Sequence, residues 1–363
     1  MSKSIQVKTS QQSYRAVVGE GIFEEQIKEI SDSFEGDINF LLVDENVEKH
    51  HSNLIEHAFE AAGKKFYLMS VPEGENSKST SFWNTCVEFL LESGVRRNTP
   101  VFVMGGGVTG DVGGFAAASA LRGVPLIHIP TTVLAMVDSS IGGKTGVNHT
   151  AGKNLIGAFY QPKKVVADIA FLKTLPRAEW TNGLSEILKY GAIERADILD
   201  RASLFLEDDL TGISHKALIS LIADCIQIKA DIVEKDEFEG NIRAYLNFGH
   251  TFAHALEKEC GYQSISHGEA VYLGMLAAID LSNQIGADLN PEKLLKYRSL
   301  YRYRVSKDQL SLEDLMNHMK FDKKRTNQHI RFVLLKEWQS PTLKDVTSDK
   351  VIHQAWQTAL QEI

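Results

Sequence analysis

An apolar run that ends in three glycines is the feature that most constrains what this chain can fold into. Residues 101–104 have the composition of a buried strand, Gly105, Gly106 and Gly107 follow it, and the small residues at 112–121 predict a helix. Glycines between a strand and a helix let backbone N–H groups approach an anion, and the helix dipole favours negative charge there. The spacing differs from G-x-G-x-x-G. The layout therefore indicates either a phosphate-binding turn or a tight connecting turn.

A second apolar run, at 126–129, leads into a long polar stretch. The apolar run ends in Pro130-Thr131-Thr132. A carboxylate, two lysines and several glycines then follow, up to Asn154. We predict a loop here. Loops of this length in compact domains are often functional, so the stretch favours a binding site over a solvated connection.

Strand and helix patterns alternate in the first half of the chain. The predicted strands are 4–9, 13–18, 38–43, 65–71, 101–104, 126–129 and 164–168, and the helices between them include 22–33, 77–91 and 112–121. This alternation predicts an α/β half with a Rossmann-like, largely parallel sheet. Asp44 follows the strand at 38–43, where a carboxylate can hold a ribose hydroxyl or cap the next helix.

The second half of the chain is chiefly helical. Periodic apolar residues predict helices at 178–194, 198–206, 214–234, 251–260 and 269–284, with one strand at 330–335. Pro176 suits the start of a helix, so we predict an α/β domain at 1–175 and a mainly α-helical domain at 176–363. Neither half carries a complete set of polar groups, and we expect the active site in the cleft between them.

Three features of the helical half suit a divalent metal. Glu186 lies inside a predicted helix, His250 and His254 are spaced i, i+4 on one helix face, and His267 stands at a predicted helix start. A catalytic zinc site takes about three histidine or carboxylate ligands and keeps one position open. The spacing does not choose between His250 and His254, and a solvated histidine pair is the alternative. Glycines beside His250 and His267 favour function, because glycine in a helix is costly unless something approaches closely.

Composition narrows the classes of function. The 363 residues carry a net charge of -8 with a pI of about 5.9, which argues against general binding to nucleic acid or to an anionic membrane surface. The N-terminus lacks an apolar signal segment, and no apolar run reaches membrane-spanning length. The three cysteines have no C-x-x-C spacing, which indicates a reducing compartment. We expect a cytoplasmic protein.

Several dense motifs carry a resemblance to a known family. They are GGGVTGDVGGFAAA, RGVPLIHIPTTVLAMVDSSIGGKTGVN and GKNLIGAFYQP, and further along Glu186-x-x-Lys189, Asn247-Phe248-Gly249-His250 and His267-Gly268-Glu269. Together they resemble the 3-dehydroquinate synthases, which are sugar-phosphate cyclases. The resemblance covers roughly residues 38–336. It fades at 300–312, where the family's usual Gly-Leu-Pro is absent, and again after Lys324.

The resemblance implies a metal and NAD. It implies Glu186, His250 and His267 as ligands of zinc or cobalt, and His254 as a proton-handling histidine. The positions that match NAD-holding residues of the family are Asp44, Glu75, Lys78, Gly106, Gly107, Asp111, Thr131, Thr132 and Thr174, and Asp138, Lys144 and Lys153 match positions around the nicotinamide.

The resemblance also implies a cluster of substrate groups. The matching catalytic positions are His254, Asn154, Lys144, Lys189, Lys153 and Arg243, and the matching substrate contacts are Asp138, Arg122, Lys229, Asn247 and, near the C-terminus, Lys323 or Lys324. A substrate with a phosphate and a carboxylate needs such a concentration of positive charge. Arg122 would reach the neighbouring subunit's site, which implies a homodimer.

The implied reaction converts 3-deoxy-D-arabino-heptulosonate 7-phosphate into 3-dehydroquinate and phosphate, in the shikimate pathway to aromatic amino acids. It would run through transient oxidation by NAD, phosphate elimination, reduction and an intramolecular aldol step, so that NAD acts catalytically. The rival hypotheses are a cyclase that acts on sedoheptulose 7-phosphate or glucose 6-phosphate, an NAD- and metal-dependent polyol dehydrogenase, and an inactive NAD-binding or scaffold protein. Arg243 favours a substrate that carries a carboxylate.

Overall fold

The structure is a computed structural model that describes residues 2–207, 210–262, 264–323 and 330–363, with side chains in these ranges except at 211 and 320–323. Within these ranges, no helix is both long enough and apolar enough to cross a membrane. Of the two predicted C-terminal phosphate contacts, Lys324 lies outside the described residues, as does the side chain of Lys323.

The first half of the chain alternates strands and helices. In chain order it contains β1 (Ser2–Lys8), β2 (Ser13–Gly19), α1 (Phe23–Ser33), β3 (Ile38–Asp44), α2 (Glu45–Ala61), β4 (Lys65–Val71), α3 (Thr80–Glu92), β5 (Val101–Gly105), α4 (Gly107–Ser119), β6 (Leu126–Pro130), β7 (Lys144–His149), β8 (Gly152–Phe159) and β9 (Lys164–Asp168).

The second half is mainly helical, so the predicted fold class is confirmed. It contains α5 (Arg177–Ile193), α6 (Ala196–Arg201), α7 (His215–Lys235), α8 (His250–Glu259), α9 (His267–Gln284), α10 (Glu292–Leu295), α11 (Leu312–Lys323), β10 (Ile330–Leu335), β11 (Pro341–Val346) and α12 (Asp349–Ala359). The helix predicted at 198–206 is in fact α6 followed by a 3-10 turn, Ala202–Leu206.

The chain forms two compact units. The first contains Met1–Pro176 and Thr211–Phe238, and the second contains Arg177–Leu210 and Glu239–Ile363. Helix α7 therefore lies with the sheet, where Lys3 Nζ donates to Ser220 Oγ at 2.9 Å. We retain the domain boundary after residue 175 as a proposal, with α7 as a return of the chain to the first unit.

Seven strands of the first unit form one sheet, in the order β1-β2-β9-β6-β5-β3-β4. All neighbours are parallel except the antiparallel pair β1 and β2. Alternate residues of each strand serve opposite faces. Leu41 and Val43 join a core with α1 and α2, whereas Phe40 and Leu42 join a core with α3 and α4. Because helices cover both faces, the central strands are continuous apolar runs.

The order of strands reverses between β3 and β5. From β3 the chain proceeds to β4 on one side, then returns to β5 on the other side and continues to β6 and β9. Open parallel sheets bind ligands beyond the carboxyl ends of their strands at such a reversal. Here those ends are Asp44 and Gly105, and a Cβ built on Gly105 would lie 3.0 Å from the Cβ of Asp44. The predicted phosphate turn and the predicted ribose carboxylate are therefore neighbours.

The prediction of a loop from 130 to 154 is wrong for much of that stretch. Ala135–Ser139 forms a π-helical turn, and β7 and β8 form an antiparallel hairpin. Gly146 and Gly157 are paired across the hairpin, and a side chain on either would collide with the backbone of the opposite strand. Glycine is needed there for close approach, although glycine ordinarily weakens a strand prediction.

The buried His128 of β6 makes the acid stability of the first unit testable. Burial lowers the pKa of His128 to about 4. Because its pKa in the unfolded chain is about 6.5, the folded state binds fewer protons, so stability is lost as the pH falls below about 6.5, until about pH 4. We expect His128→Gln to reduce this loss by up to about 3 kcal/mol, measured by urea unfolding of the metal-free protein across that interval.

His57→Gln is the control for this experiment, because the His57 side chain is 70% exposed. It removes a histidine that is not buried, so a change in the pH dependence of unfolding that occurs only in His128→Gln belongs to the buried imidazole. Equal pH dependence in His128→Gln and the unaltered protein would contradict the assignment of His128 as an acid-sensitive group.

Candidate metal centre and cofactor site

Three side chains from three helices of the second unit meet at one point. Glu186 lies inside α5, and His250 and His267 are the first residues of α8 and α9. From Glu186 Oε1, the distance to Nε2 is 3.6 Å at His250 and 3.5 Å at His267. One ligand atom of each residue lies within 4.8 Å of the other two, and no other group of this kind occurs among the described residues. All three predicted metal ligands are thus brought together.

Glycines allow the helices that carry these ligands to approach. Gly249 has a φ of +82°, and a Cβ there would lie 2.7 Å from the backbone N of Met275 in α9. A Cβ on Gly268 would lie 2.5 Å from the Cα of Asn182 in α5. The glycines beside the histidines therefore serve helix–helix contact, which in turn brings the ligands together.

An acceptor behind each histidine ring sets its orientation. His250 Nδ1 lies 3.3 Å from the backbone oxygen of Phe248, and His267 Nδ1 lies 3.3 Å from Glu257 Oε1. A ring nitrogen that faces an acceptor carries the proton, so Nε2 of each neutral ring presents its lone pair. Both Nε2 atoms are the ring atoms nearest Glu186. The rings are therefore oriented as ligands by the protein itself.

The surroundings shift the pKa values of His250 and His267 in opposite directions. Burial lowers the pKa of His250 to about 3, despite the attraction of Glu186. Burial also opposes protonation of His267, but hydrogen bonds with Glu186 and Glu257 raise its pKa to about 9. A divalent cation would displace that proton, because a ligating imidazole is neutral. Lys189, one turn further along α5, forms a buried ion pair with Glu186.

The donor set fits a divalent metal. Two imidazoles and one carboxylate leave a fourth position open, as in catalytic zinc sites. Tetrahedral bonds of about 2.1 Å separate neighbouring ligand atoms by about 3.4 Å, close to the 3.5 and 3.6 Å between Glu186 and the two histidines. His254 is exposed, and its ring centroid lies 5.6 Å from that of His250. Of the i, i+4 pair, His250 is therefore the candidate ligand, and His254 lies beside it outside the cluster.

A chain of buried hydrogen bonds joins residues that adjoin two of the candidate metal ligands. Ser185 Oγ donates to the carbonyl of Gly268 at 2.6 Å and lies 2.8 Å from Tyr301 Oη. Because serine has one hydroxyl proton, Tyr301 is the donor to Ser185. The Tyr301 ring stacks on Tyr272 with 3.9 Å between centroids. The residue before Glu186 is therefore joined to the residue after His267.

The predicted cofactor residues of the first unit begin at the sheet reversal. Asp44 accepts hydrogen bonds from the backbone N of Asn46 at 3.0 Å and of Val47 at 3.4 Å, so it caps α2. It also accepts from Thr109 Oγ1 at 3.4 Å, and burial raises the pKa of Asp44. Helix α4 is preceded by Gly106, which has no side chain to cap it. A phosphate can therefore approach the first N–H groups of α4.

A polar cluster joins four other predicted residues to one that was not predicted, Asn148. The buried Lys78 forms an ion pair with the half-buried Asp111, and burial raises the pKa of Asp111 although Lys78 opposes the shift. Asn148 Nδ2 donates to Glu75 Oε1 at 2.7 Å, and its backbone N donates to the carbonyl of Lys78 at 2.8 Å. The backbone N of Asn154 donates to Asn148 Oδ1 at 2.9 Å.

A lysine of α7 reaches the π-helical turn. Lys229 Nζ lies 3.0 Å from Asp138 Oδ2 and donates to the Asp138 carbonyl at 2.7 Å. Thr132 Oγ1 accepts from the backbone N of Ala135 at 3.1 Å and so begins the same turn. Two residues predicted for the substrate, Lys229 and Asp138, are therefore paired with each other.

The remaining predicted residues of the first unit are spread over its loops and the hairpin. Lys144 is exposed at the start of β7, Lys153 is half-buried in β8, and Thr131 is buried directly after β6. Thr174 Oγ1 donates to the carbonyl of Phe171 at 3.2 Å in the turn after β9. These residues lie in or directly after strands of the first unit. Their binding roles stay predictions.

A predicted catalytic residue, Arg243, and a predicted substrate contact, Asn247, lie in one 3-10 turn of the second unit, Ile242–Asn247. Arg243 is only 1% exposed, and Asn247 Nδ2 donates to Glu239 Oε1 at 2.8 Å. Arg122, in the first unit, is exposed and has a left-handed φ of +66°. The structure therefore buries one predicted arginine and exposes the other.

Comparison with protein families decides which family these residues belong to. Models described as the N-terminal and C-terminal parts of 3-dehydroquinate synthase match residues 68–182 and 183–325. The chain belongs to the 3-dehydroquinate synthase family. A 3-dehydroquinate synthase of Salinibacter ruber is 43% identical over 326 residues, covering 88% of this chain and 87% of its own. One of Neisseria meningitidis serogroup C is 35% identical over 360 residues, covering 99% and 100%.

Solved structures share the fold beyond the 3-dehydroquinate synthase family. A 2-epi-5-epi-valiolone synthase from Streptomyces hygroscopicus subsp. jinggangensis, with NAD+ and Zn2+ bound, has a TM-score of 0.88 at 23% identity, over 98% of this chain and 99% of its own. A 2-deoxy-scyllo-inosose synthase complexed with carbaglucose-6-phosphate, NAD+ and Co2+ has a TM-score of 0.82 at 24% identity, over 98% and 99%.

Glu257 lies outside the set predicted from the 3-dehydroquinate synthase motifs. It stands seven residues, or about two turns, after His250, and therefore on the same face of α8. Its sequence signal is a carboxylate on a helix face that otherwise carries a metal-ligand candidate. That signal is weak, because a glutamate in a helix is usually solvated.

The division of the histidine pair is testable in this 3-dehydroquinate synthase family member. We expect His250→Ala to lose both bound zinc and turnover, because a ligand is removed. His254→Ala should retain zinc, because His254 lies outside the ligand cluster. It should lose turnover, because His254 is the predicted proton-handling histidine. Metal content after gel filtration, measured by mass spectrometry, distinguishes the two. Unchanged zinc in His250→Ala would contradict the ligand assignment.

Proposed function

We infer that the chain converts 3-deoxy-D-arabino-heptulosonate 7-phosphate into 3-dehydroquinate and phosphate. The observation that carries this inference is the cluster of Glu186, His250 and His267 in a chain of the 3-dehydroquinate synthase family. The reaction is a carbon–oxygen lyase step that eliminates phosphate and closes a carbocycle. Its products together contain all the atoms of the substrate, so it has no net redox change.

Glu186, His250 and His267 hold the divalent metal in this proposal. When bound, zinc or cobalt supplies a positive charge that lowers the pKa of a substrate hydroxyl. The two histidines present Nε2 and are held from behind through Nδ1. Lys189 balances the charge of Glu186 from the same helix and offers a cation to an anionic substrate.

NAD is held by the residues at the sheet reversal and beside α4. When bound, it supplies a hydride acceptor that is regenerated within each turnover. The N-terminus of α4 suits the pyrophosphate, and Asp44 suits a ribose hydroxyl. The groups assigned to NAD are Asp44, Glu75, Lys78, Gly106, Gly107, Asp111, Thr131, Thr132, Asp138, Lys144, Lys153 and Thr174.

The charged groups assigned to the substrate explain a preference for a substrate with both phosphate and carboxylate. Arg243 presents a planar guanidinium, which pairs with a carboxylate through two parallel hydrogen bonds. Sedoheptulose 7-phosphate and glucose 6-phosphate lack that carboxylate. His254 neighbours a metal ligand yet is exposed, so it can exchange a proton with water. The other groups assigned here are Arg122, Asp138, Lys144, Lys153, Asn154, Lys189, Lys229, Asn247, Lys323 and Lys324.

Location and assembly complete the proposal. The cysteines Cys86, Cys225 and Cys260 are free thiols, which suits a reducing, cytoplasmic compartment. Arg122 is exposed, as an arginine that serves the site of a neighbouring subunit must be. We therefore propose a homodimer in which each copy completes the site of the other.

The reaction is tested by phosphate release from the heptulosonate phosphate with catalytic NAD and zinc. We expect release that a chelator abolishes, with dehydroquinate formed and no NADH accumulating. Release only from sedoheptulose 7-phosphate or glucose 6-phosphate would assign the chain to another cyclase activity. NADH produced from a simple polyol, without phosphate release, would contradict a cyclase altogether.

The shared site is tested by mixing two inactive variants. Arg122→Ala removes the group supplied to the neighbour, and His254→Ala removes a group of the subunit's own site. Random reassortment of equal amounts leaves about one site in four intact in a symmetric dimer, so about a quarter of the activity should return after refolding together. Activity that stays at the level of the separate variants would contradict the exchange of Arg122 between subunits.

A further inference from the structure

We propose that Glu257 is a positioning residue of the metal centre, whose carboxylate holds His267 in the orientation and tautomer that bind the metal. This rests on the metal site of the proposed function. Glu257 is 3% exposed, and its Oε1 lies 3.3 Å from Nδ1 of His267. A carboxylate this buried is costly unless a donor or cation compensates it. Here the compensating groups include His267, a candidate metal ligand.

The two histidines of the centre are held by acceptors of different charge. His250 faces the neutral carbonyl of Phe248, whereas His267 faces a carboxylate. A carboxylate behind a ligating imidazole makes its Nε2 a stronger donor and adds attraction for a cation. Glu257 therefore contributes negative charge to the centre without itself being one of the clustered ligands.

The difference in anchoring follows the difference in exposure. The side chain of His267 is 34% exposed, against 11% for His250. Packing and a neutral acceptor hold the more buried ring, whereas fewer protein atoms surround the more exposed ring. A charge-assisted hydrogen bond, which is stronger than a neutral one, stands at the ring that packing holds less firmly.

Glu257 also couples two helices of the centre. It lies in α8, which begins with His250, and it supports His267, which begins α9. One helix thus supplies a ligand directly and anchors another across the contact between α8 and α9. Displacement of α8 would disturb both histidines.

The chain offers a matched control on the same helix. Glu259, two residues beyond Glu257, pairs with His318 at 2.9 Å, and His318 is outside the metal cluster. Glu257→Gln keeps an acceptor but removes the charge, Glu257→Leu removes both, and Glu259→Gln removes the same charge from a histidine that binds no metal.

The measurement is the zinc affinity of the metal-free protein, by competition with a chromophoric chelator. We expect Glu257→Leu to weaken zinc binding by about 10- to 100-fold and Glu257→Gln by less, with Glu259→Gln within about twofold of the unaltered protein. The absorption bands of bound Co2+ provide a second readout. They should shift in Glu257→Leu and stay unchanged in Glu259→Gln, because only the former frees a ligand ring.

A purely structural role would give a different result. Glu257→Leu would then lower the unfolding temperature of the metal-free protein with no change in zinc affinity or Co2+ bands, and that outcome overturns the proposal. If Glu257→Leu does not fold, the affinity and Co2+ spectrum of Glu257→Gln decide. Zinc binding by the unaltered protein separates the two levels of inference: its absence overturns the metal site and this proposal together, whereas normal binding with unaffected Glu257 variants overturns this proposal alone.

Discussion

The buried charge of Glu186 is the constraint on which the candidate metal centre depends. The residue is 1% exposed, so its carboxylate must be compensated by groups of the protein. Lys189 supplies a buried cation, and His267, whose pKa is raised to about 9, supplies a second positive charge. They can do so only if α5, α8 and α9 lie close together, and small residues at their contacts permit this. The packing of α5, α8 and α9 against each other therefore also brings the candidate ligands together.

The sheet of the first unit follows from the sequence for a simple reason. Its central strands are buried on both faces, so short continuous apolar runs bounded by turn residues mark them. The hairpin of β7 and β8 was missed because Gly146 and Gly157 make close backbone contact, and glycine ordinarily argues against a strand. The strand β11 was not predicted for a different reason. Its Lys344 and Asp345 are exposed, so the strand has no alternating apolar pattern.

The candidate site shows the same limit of local reasoning. Residue type and spacing single out Glu186, His267 and a histidine pair, but His250 and His254 share a helix face and differ only in what packs against them. That choice belongs to tertiary structure. The two interpretations of Asp44 prove compatible, because its Oδ1 caps α2 while Oδ2 accepts from Thr109. A carboxylate has about four lone-pair positions, so a ribose hydroxyl can still be accommodated.

Tyr301 gives a structural role to the segment that departs from the family pattern. It stands in the segment that lacks the usual Gly-Leu-Pro, and its hydroxyl directs the single proton of Ser185 toward Gly268. A substitution at Tyr301 therefore acts on residues that adjoin two candidate metal ligands. A chimera that replaced 300–312 without a hydroxyl at position 301 would remove this donor to Ser185. Residues 185, 268 and 301 form one hydrogen-bonded unit, although they are distant in sequence.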